Sequence, residues 1–274
     1  MNVLAHPTVQ GVLTLQTSDL AIAASLVALS AIISLVMRLR MERSIVWAAI
    51  RAVVQLLLVG HILRVVFAYA SVWLTLGVVL VMMSLAAREV AARPAERFSG
   101  AGNLRIGALA VITTTAVTAM FILSTALHPD PWYDPRYLIA LVGIVLGSVL
   151  NAASLALDGM LGNVRRQRAA IESRIALGAT PRQAFSPLMR ESVRRGLVPA
   201  INQMAAAGII TLPGIMTGQI IAGMDPVEAV KYQILILFLL CGASALAVMG
   251  VAWAALRRLT DARGRLRLDR LHVR

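Results

Sequence analysis

Apolar residues in this chain run together in long blocks, with polar residues gathered between them. A helix needs about 20 mostly apolar residues to cross a hydrocarbon core about 30 Å thick. Seven stretches reach or approach that length: Leu20–Met37, Ile45–Phe67, Val72–Ala87, Ile106–Leu127, Leu138–Leu157, Leu197–Gly223 and Val230–Leu256. Helices satisfy their own backbone hydrogen bonds in lipid. The pattern therefore predicts an all-α, polytopic integral membrane protein with about seven transmembrane helices, forming one domain over residues 1–274. No internal repeat or low-complexity segment interrupts it.

Composition agrees. Hydrophobic residues make up 59% and charged residues 14%, with mean hydropathy +0.79; a soluble domain carries roughly 25% charged residues. A formal charge of +13 suits a nucleic-acid binder, but the placement of the arginines argues otherwise. Of 26 basic residues, 22 fall in alternate connections or the C-terminal tail, and the opposite side holds only Arg64, Arg136 and Lys231. The positive-inside bias then predicts an outer N-terminus, a cytoplasmic C-terminus and lipid as the partner, with no nucleic acid. The first nineteen residues contain no Lys or Arg, so the first apolar run reads as a retained helix instead of a signal peptide. His128–Arg136, rich in Pro, Asp, Trp and Tyr, reads as an outer interfacial turn. Two basic segments stand out: 158–196, too long for a simple connection and read as cytoplasmic helices on the inner membrane face, and the tail 257–274.

Polar groups inside spans are candidates for a path, because a charge at mid-depth costs about 2.5–3.5 kcal/mol. Arg51 and Gln55 lie one turn apart on the second stretch, where Arg51 either snorkels to the headgroups or lines a path. The fifth stretch and its end place Gly143, Gly147, Asn151, Ser154 and Asp158 on one helical stripe. Close helix packing explains Gly143 and Gly147; Asn151 and Asp158 exceed what packing requires. The sixth stretch, with Asn202 and Gln203 followed by Pro213, Gly214, Met216, Thr217, Gly218 and Gln219, has 27 residues, about 40 Å of helix. Pro213 and Gly214 predict a break, which either kinks the helix for packing or lines a cavity. Met204, Met216 and Met224 are core filler or soft metal donors. The histidines (His6, His61, His128 and His272) lack ligand spacing, and the single Cys241 reads as a buried hydrophobe.

Familiar catalytic chemistry is missing. The single lysine, Lys231, follows Val230 and precedes Tyr232, so no P-loop exists, and there is neither G-x-S-x-G nor H-E-x-x-H. Lys231 also sits at the outer mouth of the seventh stretch, unlike a retinal-bearing lysine. A sensory receptor would further lack a large outer domain.

Glu172-Ser-Arg174-Ile-Ala-Leu177-Gly178-Ala179-Thr180 resembles the coupling segment of ABC-transporter permeases, E-A-A-x-x-x-G. Ser173 and Arg174 replace the alanines, and Leu188-Met-Arg-Glu stands where importers have I-x-L-P. Leu212-Pro-Gly-Ile-Met-Thr-Gly-Gln-Ile-Ile-Ala-Gly223, with Asp225-Pro226, Arg51-Ala-Val-Val-Gln55 and Asn151…Asp158, resembles more specifically the bacterial iron-export permeases and the plant aluminium-sensitivity proteins. Ile215 departs from a common Met. The resemblance runs from the first span to the last. It implies a non-enzymatic permease in the cell inner membrane, two copies of which pair with a cytoplasmic ABC ATPase. That partner would bind ATP and Mg, this chain no cofactor, and the exported cargo would be iron or another metal-linked solute. Coupling would fall to Glu172, Arg174 and Leu177–Thr180. The alternative is an ATP-independent channel or secondary transporter using Arg51, Asn151 and Asp158.

Overall fold

A computed structural model describes residues 16–127, 129–261 and 263–273. His6, His128, Arg274 and residues 1–15, most of the stretch on which the signal-peptide reading rests, lie outside them. The described chain divides into two compact units, ending and beginning at Tyr69 and Ala70. The first is a helical pair, α1 (Thr17–Val36) and α2 (Glu42–Tyr69). Its turn is tied to α1 by Ser34, whose hydroxyl accepts from the Met41 amide at 3.1 Å.

The second unit holds α3 (Val72–Ala92), α4 (Gly102–Ile122), α5 (Pro135–Arg166), α6 (Arg168–Ala176), α7 (Pro181–Ala206), α8 (Gly214–Ile221) and α9 (Pro226–Leu259), with two short strands, β1 (Glu96–Phe98) and β2 (Leu271–Val273). Helices α5, α7 and α9 start alike. Asp134, Thr180 and Asp225 accept hydrogen bonds from first-turn amides, and a proline follows each at the first helical position. That proline has no amide to leave unsatisfied. Helix α5 is central, packing against α3, α4, α7 and α9; Val145, Val149, Ala153, Ala156, Leu157 and Met160 are fully buried along it.

Six described helices (α1, α2, α3, α4, α5 and α9) are long and apolar enough to span a membrane. The sixth of the seven stretches is not one helix. Helix α7 stops at Ala206, Gly208 takes φ +82°, and α8 restarts at Gly214 with Pro213 at its N-cap. The break thus opens several residues before Pro213, where a residue with positive φ ends α7; the residue before a proline is itself biased away from helix. The fifth stretch also corrects: α5 continues through Asp158 to Arg166, because Gly159–Val164 keep the apolar face buried against the bundle. Asp158 lies in a helix interior, on the stripe expected of it, and α7 joins the basic segment to the start of the sixth stretch without a break.

The C-terminal tail folds back. Strand β2 pairs antiparallel with β1, Glu96 opposite Val273 and Phe98 opposite Leu271, and both Phe98 and Leu271 are buried. Asn103 anchors the same corner, accepting from the Phe98 amide at 3.0 Å and donating to the Ala91 carbonyl at 3.3 Å.

Two glycines differ in what they permit. A Cβ on Gly196 of α7 would lie 2.6 Å from Val248 Cγ2 and 2.8 Å from the Ala152 carbonyl, whereas one on Gly147 of α5 meets nothing within 4 Å. Gly196→Val is expected to destabilise by about 3 kcal/mol through overpacking, and Gly147→Ala by no more than about 0.5 kcal/mol, read as thermal unfolding of the detergent-purified protein. In the tail, the bidentate Arg267 guanidinium, 2.7–2.8 Å from the Asp269 carboxylate, holds that carboxyl down to about 2. A lowered folded pKa gives stability that is present above the unfolded value near 4 and lost as pH falls toward 2. Amide-exchange protection of residues 265–272 is therefore expected to stay level at higher pH and drop across that interval. Asp269→Asn should flatten the drop.

Candidate functional site

The stripe read from the sequence lines two adjoining cavities in the second unit. The first, about 420 Å³, is bordered by Arg93, Ala95, Asn151, Ser154, Asp158 and Pro199. The second, about 260 Å³, lies between α5, α7 and α9 and is bordered by Gly143, Gly147, Ser148, Asn151, Gln203 and Ser244, among others. Asn151 and Pro199 border both. From Gly143 to Asp158 the stripe covers about 22 Å of helix.

Why the sequence opens space here follows from side-chain size. Gly147 contributes no Cβ and Gly143 faces only the tip of Met82, at 3.3 Å from where a Cβ would sit. The packing role expected of this glycine pair is thus not what Gly147 does; it leaves room. Close backbone approach belongs to Gly196 instead. Pro199, one turn further along α7, has no amide to donate to the carbonyl four residues back, which adds a local irregularity at the cavity wall.

Polar groups tie the rim together. Arg93 Nη1 donates to Asn151 Oδ1 at 2.9 Å, and the Ala95 amide donates to Asp158 Oδ1 at 2.9 Å. Glu89 lies 3.6 Å from Arg93 on the same helix. Deeper in, Ser148 and Ser244 share a hydrogen bond of 3.0 Å between α5 and α9. The polar part of the lining is thus amide and hydroxyl, with one guanidinium and one carboxylate toward the arginine-rich end, set among glycine and the apolar Ile144, Ala152, Leu155, Ala200 and Leu240. Among the described residues no cluster of three or more His, Cys, Asp or Glu is placed to hold a metal.

The other expected path residues are not among those lining these two cavities, Gln203 apart. Arg51 and Gln55 share one face of α2 in the first unit. Asn202 is exposed on α7 and borders neither cavity. Pro213, Gly214, Met216, Thr217, Gly218 and Gln219 form the break and α8, which packs on α9. There Thr217 donates to the Pro213 carbonyl at 3.2 Å, and Gln219 Oε1 is buried without a partner. Sequence reasoning missed Arg93, Ser148, Pro199 and Ser244. Gly196, Pro199 and Gln203 stand at steps of three and four, a stripe that periodicity alone exposes; Arg93 looked like one more loop arginine.

The coupling-like segment forms a tight helical hairpin. Helix α6 ends at Ala176, Gly178 turns the chain at φ +88°, and Thr180 caps α7 in a reciprocal pair with Gln183. Ile171, Ala184, Phe185 and Leu188 bury the inner face, while Leu177 is thrust outward at 87% exposure. Glu172 pairs with Arg168 at 2.9 Å. Arg174 donates to the Ala184 carbonyl at 3.2 Å, so it holds the hairpin shut.

Fold and site together define a polytopic helical membrane protein whose bundle holds a cavity with polar groups in its wall. The chain belongs to the uncharacterised protein family UPF0014, whose model matches residues 17–260. It is 36% identical over 222 residues to the UPF0014 membrane protein slr1647 of Synechocystis, covering 80% of this chain and 84% of that one. To the protein named "Probable iron export permease protein FetB" of Escherichia coli it is 31% identical over 255 residues, 92% and 95% of the two chains. To the UPF0014 membrane protein STAR2 of rice it is 32% identical over 222 residues, 81% and 76% of the two. No solved structure matches the chain. The resemblance drawn from the P-G-x-M-T-G-Q motif therefore holds.

If the cavities are water-accessible, a thiol placed in them must be reachable from water. Ser148→Cys is expected to react with a water-soluble maleimide in native membranes, and adding Gly147→Leu to slow that reaction at least fivefold without lowering expression. Equal rates would show that Gly147 does not shape the space.

Proposed function

We propose that the chain is the membrane permease of an ABC transporter that exports iron or another metal-linked solute from the cell, with ATP and Mg²⁺ bound by a separate cytoplasmic ATPase. Two copies would form the transporter in the inner membrane, each with its N-terminus outside and its C-terminus in the cytoplasm. The names of relatives and the arginine asymmetry support this reading. The observation that carries it is mechanical: α7 runs unbroken from the coupling-like turn at Thr180 to Gln203 in the cavity wall. That is about 35 Å of continuous helix, with Pro187 and Pro199 inside it, close-packed at Gly196 between α5 and α9.

An ATPase closing on the exposed Leu177 tip would move α6 and the start of α7. The tight contact at Gly196 acts as a fulcrum, and Pro199 and Gln203 beyond it shift against Asn151. The Arg93–Asn151 and Ala95–Asp158 hydrogen bonds, which fasten the end of α3 to α5, are the ones such a movement would strain. Arg174 serves this reading as a positioning residue.

The test is reconstitution with the ATPase encoded nearest the gene. Leu177→Asp is expected to lower ATPase co-purification at least tenfold while insertion and thermal stability stay unchanged. Asn151→Leu should keep ATPase binding and lose most transport. Metal export from proteoliposomes lacking any ATPase would instead establish the ATP-independent channel or secondary transporter.

A further inference from the structure

Four arginines converge where α4 begins and α9 ends. Arg105 comes from the first turn of α4, Arg257 and Arg258 from the last turn of α9, and Arg270 from the returning tail. They border a cavity of about 320 Å³ whose remaining wall is Gly102, Ile106, Leu109 and Ala254. No carboxylate lines it, and none of the four joins a recorded salt bridge among the described residues.

The positive-inside bias asks only that arginines lie on one side of the bilayer. Here they are placed. The Arg258 guanidinium lies 5.4 Å from the Phe98 ring centroid, and its Nε is buried without an acceptor. A Cβ on Gly102 would stand 2.5 Å from that Nε, so glycine is what admits the guanidinium against the start of α4. Arg257 stacks on Trp253 at 3.8 Å, an aromatic of the kind that marks membrane interfaces. Arg270 Nη1 reaches the Arg258 carbonyl at 2.8 Å, which brings its charge to the same place. The first turn of α4 has no side-chain cap, so its amides add a weaker positive potential.

Like charges in one cavity repel, with the Asp269 carboxylate offsetting only Arg270 in part, and forked guanidinium donors match a phosphate. The opposite wall, Ile106, Leu109 and Ala254, is apolar and continues along two span-length helices. We propose that this cavity binds the phosphate headgroup of an anionic phospholipid from the leaflet at the arginine-rich end, with an acyl chain lying along that apolar wall. The shape separates a lipid from free phosphate, which has no use for an apolar wall beneath the arginines. Because Arg270 arrives on the tail, an occupied site also fastens β2 to the helices. The site stands on membrane insertion alone and is independent of what is transported.

The test uses the full chain in detergent, stripped of lipid and titrated with phosphatidylglycerol, phosphatidylcholine or inorganic phosphate, read by native mass spectrometry and thermal unfolding. Phosphatidylglycerol is expected to be retained at least tenfold more strongly than phosphatidylcholine, to raise the melting temperature, and to resist displacement by millimolar inorganic phosphate. Arg105→Gln with Arg257→Gln should abolish that preference, while Arg182→Gln leaves it unchanged. Equal retention of the two lipids, displacement by inorganic phosphate, or wild-type preference in the double variant would each overturn the proposal. Should the double variant fold poorly, a wild-type preference below threefold suffices to overturn it.

Discussion

The approach of three helices at Gly196 sets the geometry of the second unit. With no side chain there, the backbone of α7 lies against the Ala152 carbonyl of α5 and the Val248 methyl of α9. One methyl group at this point would force two of the three apart. Packing at near-crystalline density leaves such a contact little freedom, so the spacing of α5, α7 and α9 elsewhere follows from it. The cavities are consequences of this crossing: α7 is held close at Gly196, and where α5 then presents Gly143 and Gly147 instead of bulky residues, the gap stays open.

That distinction explains why the glycines with a packing signal and the glycine without one play the opposite parts. Gly143 and Gly147 carry the spacing of a packing motif, and Gly196 carries no motif. A glycine reports only that a side chain is absent; whether backbone or empty space takes its place is decided by the partner helix. The partner is set by tertiary arrangement, which local sequence does not encode. The stripe of Asn151, Ser154 and Asp158 was legible because its information is local: one helix, one period, residues too polar for lipid.

The same division between local and distant information runs through the rest of the chain. The turn at Gly178 and the caps at Thr180 and Asp225 are local chemistry, and so is the existence of a break before Gly214, although it opens earlier, after Ala206, than Pro213 indicates. The strand pair is not local. Glu96 and Val273 meet across nearly the whole second unit, and two three-residue strands have no periodicity to reveal them. Helix α5 misled for a further reason. A hydropathy run ends where charges begin, at Asp158, but the helix continues because Met160, Leu161 and Val164 still find a buried face. Hydrophobic runs mark the lipid-crossing part of a helix, and packing marks its end.

Arginine is the residue whose meaning shifts most between sequence and structure. In the sequence, 22 of 26 basic residues form one topological signal. In the fold some of them are partners of backbone carbonyls. Arg97 donates to the Ala92 carbonyl at the last residue of α3 and Arg270 to Arg258 in the last turn of α9, both helix ends, while Arg174 donates to Ala184 in the first turn of α7, across the hairpin. Helix C-termini leave carbonyls unpaired and carry partial negative charge, so a side of the membrane where long helices end is one that arginines also stabilise structurally. Retention on one side of the bilayer and capping of the ends that emerge there are met by the same residues. A topology count therefore cannot separate an arginine that merely stays out of the bilayer, such as the exposed Arg182, from one that shapes a cavity, such as Arg93. Only the acceptor each guanidinium reaches does that.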